Sequence, residues 1–84
     1  MSIYRINTYH GMTIVARRTS YKYDRAIEYM REDALAMFDH LAAKHSGATM
    51  TLTRDTARIT DADTESGERM ELFYEVMEEP EDED

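Results

Sequence analysis

The chain of 84 residues has no cysteine and no tryptophan, one proline and three glycines. Without cysteine there is neither a disulfide framework nor a thiolate metal site. No apolar run approaches the ~20 residues that a membrane-spanning helix needs. Met1-Ser2-Ile3-Tyr4-Arg5 leads into no apolar signal-peptide core, so the expectation is a soluble cytoplasmic protein with no membrane partner. Glycine-rich phosphate loops, an H-E-x-x-H pair and a serine–histidine pair in a defined context are all missing. His40 and His45 are five apart on a helical pattern, so they project roughly 140° from each other and cannot share a metal. A chain of this length buries only roughly 60 to 65% of the surface it exposes when unfolded, which leaves one thin core and little room for a deep pocket. Neither enzymatic activity nor a cofactor is expected.

Charge is present in excess of one sign. Ten Lys and Arg stand against 18 Asp and Glu, a net charge of −8. Residues 1–46 hold seven basic and five acidic residues, a net +2, whereas residues 47–84 hold three basic and thirteen acidic, a net −10. Glu78-Glu79-Pro80-Glu81-Asp82-Glu83-Asp84 reads as a disordered acidic tail, because like carboxylates repel and bury nothing. One domain over residues 1–77 and a tail over 78–84 is the expected organisation. A surface this negative repels a phosphate backbone, so direct nucleic-acid binding is not expected and a basic protein partner is favoured. Solubility alone is the competing account of such acidity.

The hydrophobic pattern predicts an α+β domain in the order ββαβββ, one helix packed on an antiparallel sheet. Ile3–Tyr9 and Met12–Ala16 flank the turn signal His10-Gly11 and read as a hairpin, after which Arg17-Arg18-Thr19-Ser20 carries the chain out of the sheet. From Asp24, a candidate N-cap, to His45, the positions Ile27, Met30, Ala34, Met37, Phe38 and Leu41 step by three and four and form the core stripe of a helix. Ser46-Gly47 closes it, and a start near Arg31 is the alternative, since Tyr21 and Tyr23 are better strand formers. Ala48–Thr53 and Thr56–Thr60 alternate with period two around Arg54-Asp55, a loop spans Asp61–Glu68, and Met70–Met77 is the last strand. On that strand Met70, Leu72 and Tyr74 share one face, and Glu71, Phe73 and Glu75 the other. Met12, Met30, Met37, Met50 and Met70 fill the core as flexible packing, and Met77 is left for an adaptable contact.

Three features carry candidate chemistry. Glu28, Glu32 and Asp39 project within about 40° of one another on the helix, away from the core stripe, and form an acidic ridge that can imitate a row of phosphates. The competing account is a solvated face with local pairs such as Glu28 with Arg25 or Arg31. Tyr29, Ala36, His40 and Ala43 lie in the same outward region, where a tyrosine beside small residues suits a protein contact. Asp61, Asp63 and Glu65 with Gly67 resemble the opening of a calcium loop. The glycine comes one position late, however, and Leu72 stands where the bidentate glutamate belongs, so with Glu68 they read as an acidic hairpin loop without metal. Arg17, Arg18 and Lys22 with Tyr21 and Tyr23 form a small basic-aromatic patch that reads as a strand-end surface.

Size, absence of cysteine, the ββαβββ plan, net acidity and the terminal Glu/Asp run together resemble the profile of small phage-encoded anti-defence proteins, the anti-CRISPR and anti-restriction inhibitors. The resemblance spans the whole chain as a profile, and no motif carries it residue by residue. It implies a non-enzymatic inhibitor, at work in the cytoplasm of an infected bacterial host cell, that docks on the basic DNA-binding surface of a CRISPR effector complex of the Cascade type. Two modes are implied equally: blocking target DNA or its PAM, or locking the complex in one conformation. The partner-binding candidates are Glu28, Tyr29, Glu32, Asp39, Asp61, Asp63, Glu65 and Glu68. A small structural or regulatory interaction module, dimeric through a strand edge or through Tyr29, Ala36 and Ala43, is the alternative.

Overall fold

The computed structural model describes residues 2–44, 47–62 and 69–80. Its elements are β1 (Ser2–His10), β2 (Thr13–Ser20), α1 (Tyr23–Lys44), β3 (Thr49–Leu52), β4 (Thr56–Ala62) and β5 (Arg69–Pro80). The five strands form one antiparallel sheet in the order β2-β1-β5-β4-β3. The α+β plan of one helix on such a sheet is as the pattern predicts. β5 lies at the centre because it is the longest strand and pairs on one side with β1 over residues 72–80 and on the other with β4 over residues 69–75. The helix crosses one face, packing most on β4, β1 and β5 and least over the two edges. No described helix is long and apolar enough to cross a membrane.

The core between helix and sheet is built from Ile6, Ala26, Met30, Ala34, Leu41, Ala57, Ile59, Leu72, Tyr74 and Val76. Ala26, Ala34 and Ala57 are fully buried; their small side chains let the helix backbone approach the sheet, and Met30 fills the gap that results. The stripe is rotated from the expected one. Ala26 replaces Ile27 at its centre, Ile27 and Phe38 flank it half-buried, and Met37 is 38% exposed toward β2. Met12, at the tip of the first hairpin, is 99% exposed rather than buried, because a two-residue turn projects its side chain beyond both strands.

Four local expectations are corrected. β2 continues through Arg17-Arg18-Thr19-Ser20 instead of leaving the sheet, since Arg5 pairs with Thr19 and Tyr4 with Ser20 along the N-terminal half of β1. Asp24 is not the N-cap. The helix already begins at Tyr23, with Asp24 in its first turn, and its first hydrogen bond runs from the Ala26 N–H to the Lys22 carbonyl at 3.0 Å. The Ser20 hydroxyl accepts the Lys22 N–H at 3.2 Å just upstream. Asp61 and Ala62 belong to β4 rather than to a loop, paired with Met70 and Arg69. β5 runs to Pro80, three residues past the expected boundary at Met77. Glu78 and Glu79 are held there by ladder partners Tyr4 and Ile3, by the Ser2 hydroxyl donating to Glu78 Oε1 at 2.8 Å, and by an ion pair between Arg5 and Glu79. The remainder of the expected tail, residues 81–84, lies outside the described residues, as do His45 and Ser46.

Gly11 opens the β1–β2 turn at φ +63°, and its N–H donates to the Glu71 carbonyl at 3.2 Å. A Cβ there meets no atom within 4 Å, so the effect of a side chain is purely conformational. Gly11→Ala is therefore expected to cost about 1 kcal/mol, read as a lower thermal midpoint with an unchanged amide spectrum elsewhere. An unchanged midpoint would show that the turn tolerates another conformation.

Candidate protein-interaction surface

The ridge takes shape from helical spacing. Glu28, Glu32 and Asp39 are all exposed on α1, on the side opposite the buried Met30 and Ala34. At about 1.5 Å rise per residue, Glu28 and Glu32 are ~6 Å apart along the axis and Asp39 a further ~10 Å on. Arg25 reaches Glu28 at 3.1 Å across one turn, so the local pair offered as the competing account exists. Among the described residues no cation lies within ion-pair distance of Glu32 or Asp39. The ridge therefore keeps, among the described residues, two carboxylates outside any ion pair on a rigid support.

Tyr29 is less available than expected. It is half-buried, with the Arg18 guanidinium 4.2 Å above its ring and that of Arg25 at 6.0 Å. Arg18 also reaches both carboxylate oxygens of Asp33, at 2.8 and 3.0 Å through Nη1. Arg18 thus clamps β2 to α1, a role made possible by the extension of β2 past Ala16. Ala36, His40 and Ala43 remain exposed beside it. At the other end of the basic-aromatic patch, Tyr23 packs edge-on against Tyr4 at 5.5 Å and lies under Arg54 at 5.6 Å.

Asp61 does not join the ridge. It is only 3% exposed, on the helix-facing side of β4 with Ala57 and Ile59, so its expected place on a partner-binding loop is corrected. Asp63, Glu65 and Glu68 lie outside the described residues. Among the described residues no group of three or more His, Asp or Glu is placed to hold a metal ion.

The face of the sheet away from the helix carries further carboxylates, which are internally satisfied. Arg58 pairs with Glu71 at 3.1 Å and lies 5.4 Å from the Phe73 ring, while the Tyr9 hydroxyl donates to Glu75 at 2.6 Å. That bond, and then burial, hold the Tyr9 phenol above its ordinary 10.0. Burial, followed by the nearby Asp33 carboxylate, does the same for Tyr74. Both native phenols keep protons that the unfolded chain releases, so their contribution is complete below pH ~10 and is lost as pH rises through the raised native values. The urea midpoint is expected to fall above pH ~10 and to fall less steeply in the double variant Y9F/Y74F. Equal slopes in both proteins would remove the tyrosines from that account.

A feature outside the sequence reading is a cleft of about 530 Å³ between the C-terminal half of α1 and the β2 edge, with Asp33, Met37 and His40 on the helix side. The one available signal was Asp33 itself, a charged residue between Met30 and Met37 on the flank of the core stripe. Comparison of the chain with protein-family models, with curated proteins and with solved structures returns no match.

Proposed function

We propose that the protein is a non-enzymatic inhibitor that docks its acidic helix on the basic DNA-binding surface of a nucleic-acid-handling complex and thereby blocks target DNA or PAM recognition. The observation that carries this reading is the ridge, with Glu28, Glu32 and Asp39 exposed on one helical face and the last two unpaired among the described residues. A phosphate-binding surface offers lysines and arginines at the spacing of a charged backbone, and carboxylates held on a stiff rod compete for them without needing to fold first. The resemblance to anti-CRISPR proteins names the partner class, a Cascade-type effector, whose DNA channel and PAM-reading side chains are cationic or polar. The chain's negative field raises the on-rate to such a surface, and packing around the ridge sets the off-rate.

The test mixes the full chain with a purified Cascade-type complex and follows binding of target DNA by gel shift at two salt concentrations. Loss of the shifted band at low salt, with recovery as salt rises, is the expected result. A complex that binds the chain and still binds DNA would move the mechanism to conformational locking. No association with effectors of several subtypes would defeat the reading.

The second reading, a small interaction module, is favoured by one feature, the apolar tip and flank of the first hairpin, where Met12 is exposed in the turn and Ile14 and Val15 on edge strand β2. The same strand is poorly suited to pairing with a copy of itself. Its register shifts at Thr8/Tyr9, and Arg17 and Arg18 would face like charges across a two-fold axis. Light scattering over a concentration series separates the two readings, since an apolar dimer persists at high salt.

A further inference from the structure

The outer side of β2 is the long free edge of the sheet. No described strand lies beyond it and residues 13–19 are all exposed, whereas the opposite edge, β3, is four residues long. Along an antiparallel strand every second residue turns its N–H and C=O outward, and such a row is matched by another extended backbone. The register shift leaves Val15 as the extra residue at one end, and residues 16–20 pair regularly with residues 4–8 of β1.

Two hollows adjoin that regular stretch. On the helix side is the cleft of about 530 Å³, with Val15 and Ala16 on one wall and Ala36 and Met37 on the other. Its carboxylate, Asp33, is already held through both oxygens by Arg18, so the cleft offers a newcomer apolar contact with no free anion. Along the strand itself, Ile14, Val15, Ala16 and Arg17 border a second hollow of about 320 Å³. Arg17 is the ladder partner of Asn7, lines the sheet face away from the helix, and joins no ion pair among the described residues. Glu75, on the same cross-strand row, accepts the Tyr9 hydroxyl instead.

We propose that β2 accepts an added antiparallel strand from a protein partner, one with an acidic residue opposite Arg17 and a large apolar residue next to it, opposite Ala16. Neighbouring side chains of a strand point to opposite faces. The carboxylate therefore meets the Arg17 guanidinium, and the apolar side chain enters the cleft over Ala16, whose small size leaves the entrance open. Main-chain hydrogen bonds hold such a strand, and the two side chains select it. Arg17, which opposes pairing of β2 with a copy of itself, is thereby the residue that recognises an acidic strand. The surface lies on the flank of the domain, apart from the ridge on α1, and goes beyond the reading above without resting on it.

The test uses the full ¹⁵N-labelled chain and the capped peptide Ac-Thr-Thr-Glu-Leu-Thr-Thr-NH2. Saturable shifts centred on the amides of residues 15–20 are expected. Replacing the peptide's glutamate by lysine should weaken binding at least about threefold at low salt. That difference should close as salt is raised toward ~0.5 M, and Arg17→Gln, an exposed change that leaves the fold intact, should remove most of it at low salt. Replacing the peptide's leucine by serine should weaken binding at every salt concentration. Of two peptides N-methylated at glutamate or at leucine, one should lose binding and the other keep it, because alternate N–H groups of an added strand face β2. Equal behaviour of the two methylated peptides would overturn strand addition. Equal affinity for the glutamate and lysine peptides, shifts centred on another surface, or no saturable shift would each overturn the proposal. No effector takes part, so failure here leaves the ridge reading standing, and peptide binding by a chain that associates with no effector would keep this edge and discard that reading.

Discussion

Met30→Ala is expected to destabilise the domain by about 2 to 4 kcal/mol, whereas Met37→Ala is expected to cost less than about 1 kcal/mol. Both methionines sit on the same helix, seven residues apart and so nearly on the same side, yet Met30 is fully buried and Met37 is 38% exposed. Met30 is among the largest side chains with no exposure, packed in the cluster of Ile6, Ala34, Ile59 and Leu72. Truncation there leaves a cavity that alanines on either side cannot close, because their backbones already set the helix-to-sheet distance. A domain of this size has a total stability of roughly 4 to 12 kcal/mol, so the loss is at least about a sixth of it. With a urea slope of roughly 1 to 2 kcal/mol/M, the midpoint should drop by about 2 M for Met30→Ala. Comparable midpoints for the two variants would mean that the helix is seated with Met37, not Met30, at its centre.

That contrast marks how far the sequence is legible. Periodicity located every element, since the three-and-four stepping from Ile27 to Leu41 and the alternation from Met70 to Tyr74 each match one geometry only. Rotation of the helix about its axis is a smaller effect, decided by Ala26, Ala34 and Ala57 closing the distance to the sheet, and alanine carries little hydrophobic signal. Strand ends were misjudged for a different reason. Arg17, Arg18, Glu78 and Glu79 look like residues leaving a sheet, but β1 supplies ladder partners and charges to keep them in it, and local propensity does not contain that partner. Asp61 and the α1–β2 cleft were invisible because each depends on which strand lies next to which. The ridge was visible because three residues on one helix need only the helix. What surface it meets, under the proposed function, is a property of another molecule, and this chain carries only its own charge and spacing.

Neutralising the ridge with E28Q, E32Q and D39N should reduce affinity for the basic partner by about 100-fold at low salt, while stability changes by less than about 1 kcal/mol. The stability estimate follows from exposure. The Arg25–Glu28 pair joins two exposed side chains, and losing it is offset by removing the like-charge repulsion of Glu28 and Glu32 at i, i+4. The binding estimate assigns roughly 1 kcal/mol to each carboxylate that loses a cationic contact. Net charge moves from −8 to about −5, which by itself weakens steering, so the comparison needs a second triple with the same change elsewhere. D55N, E71Q and E79Q remove three exposed carboxylates from the β3–β4 turn and from the sheet face opposite the helix. That protein should lose only the steering part, about threefold at low salt and nothing measurable at high salt. The ridge triple should instead stay weak at every salt concentration, because contacts and not only the distant field have gone. Equal losses in the two triples would mean that the partner senses net charge alone and that the helix presents no particular surface to it.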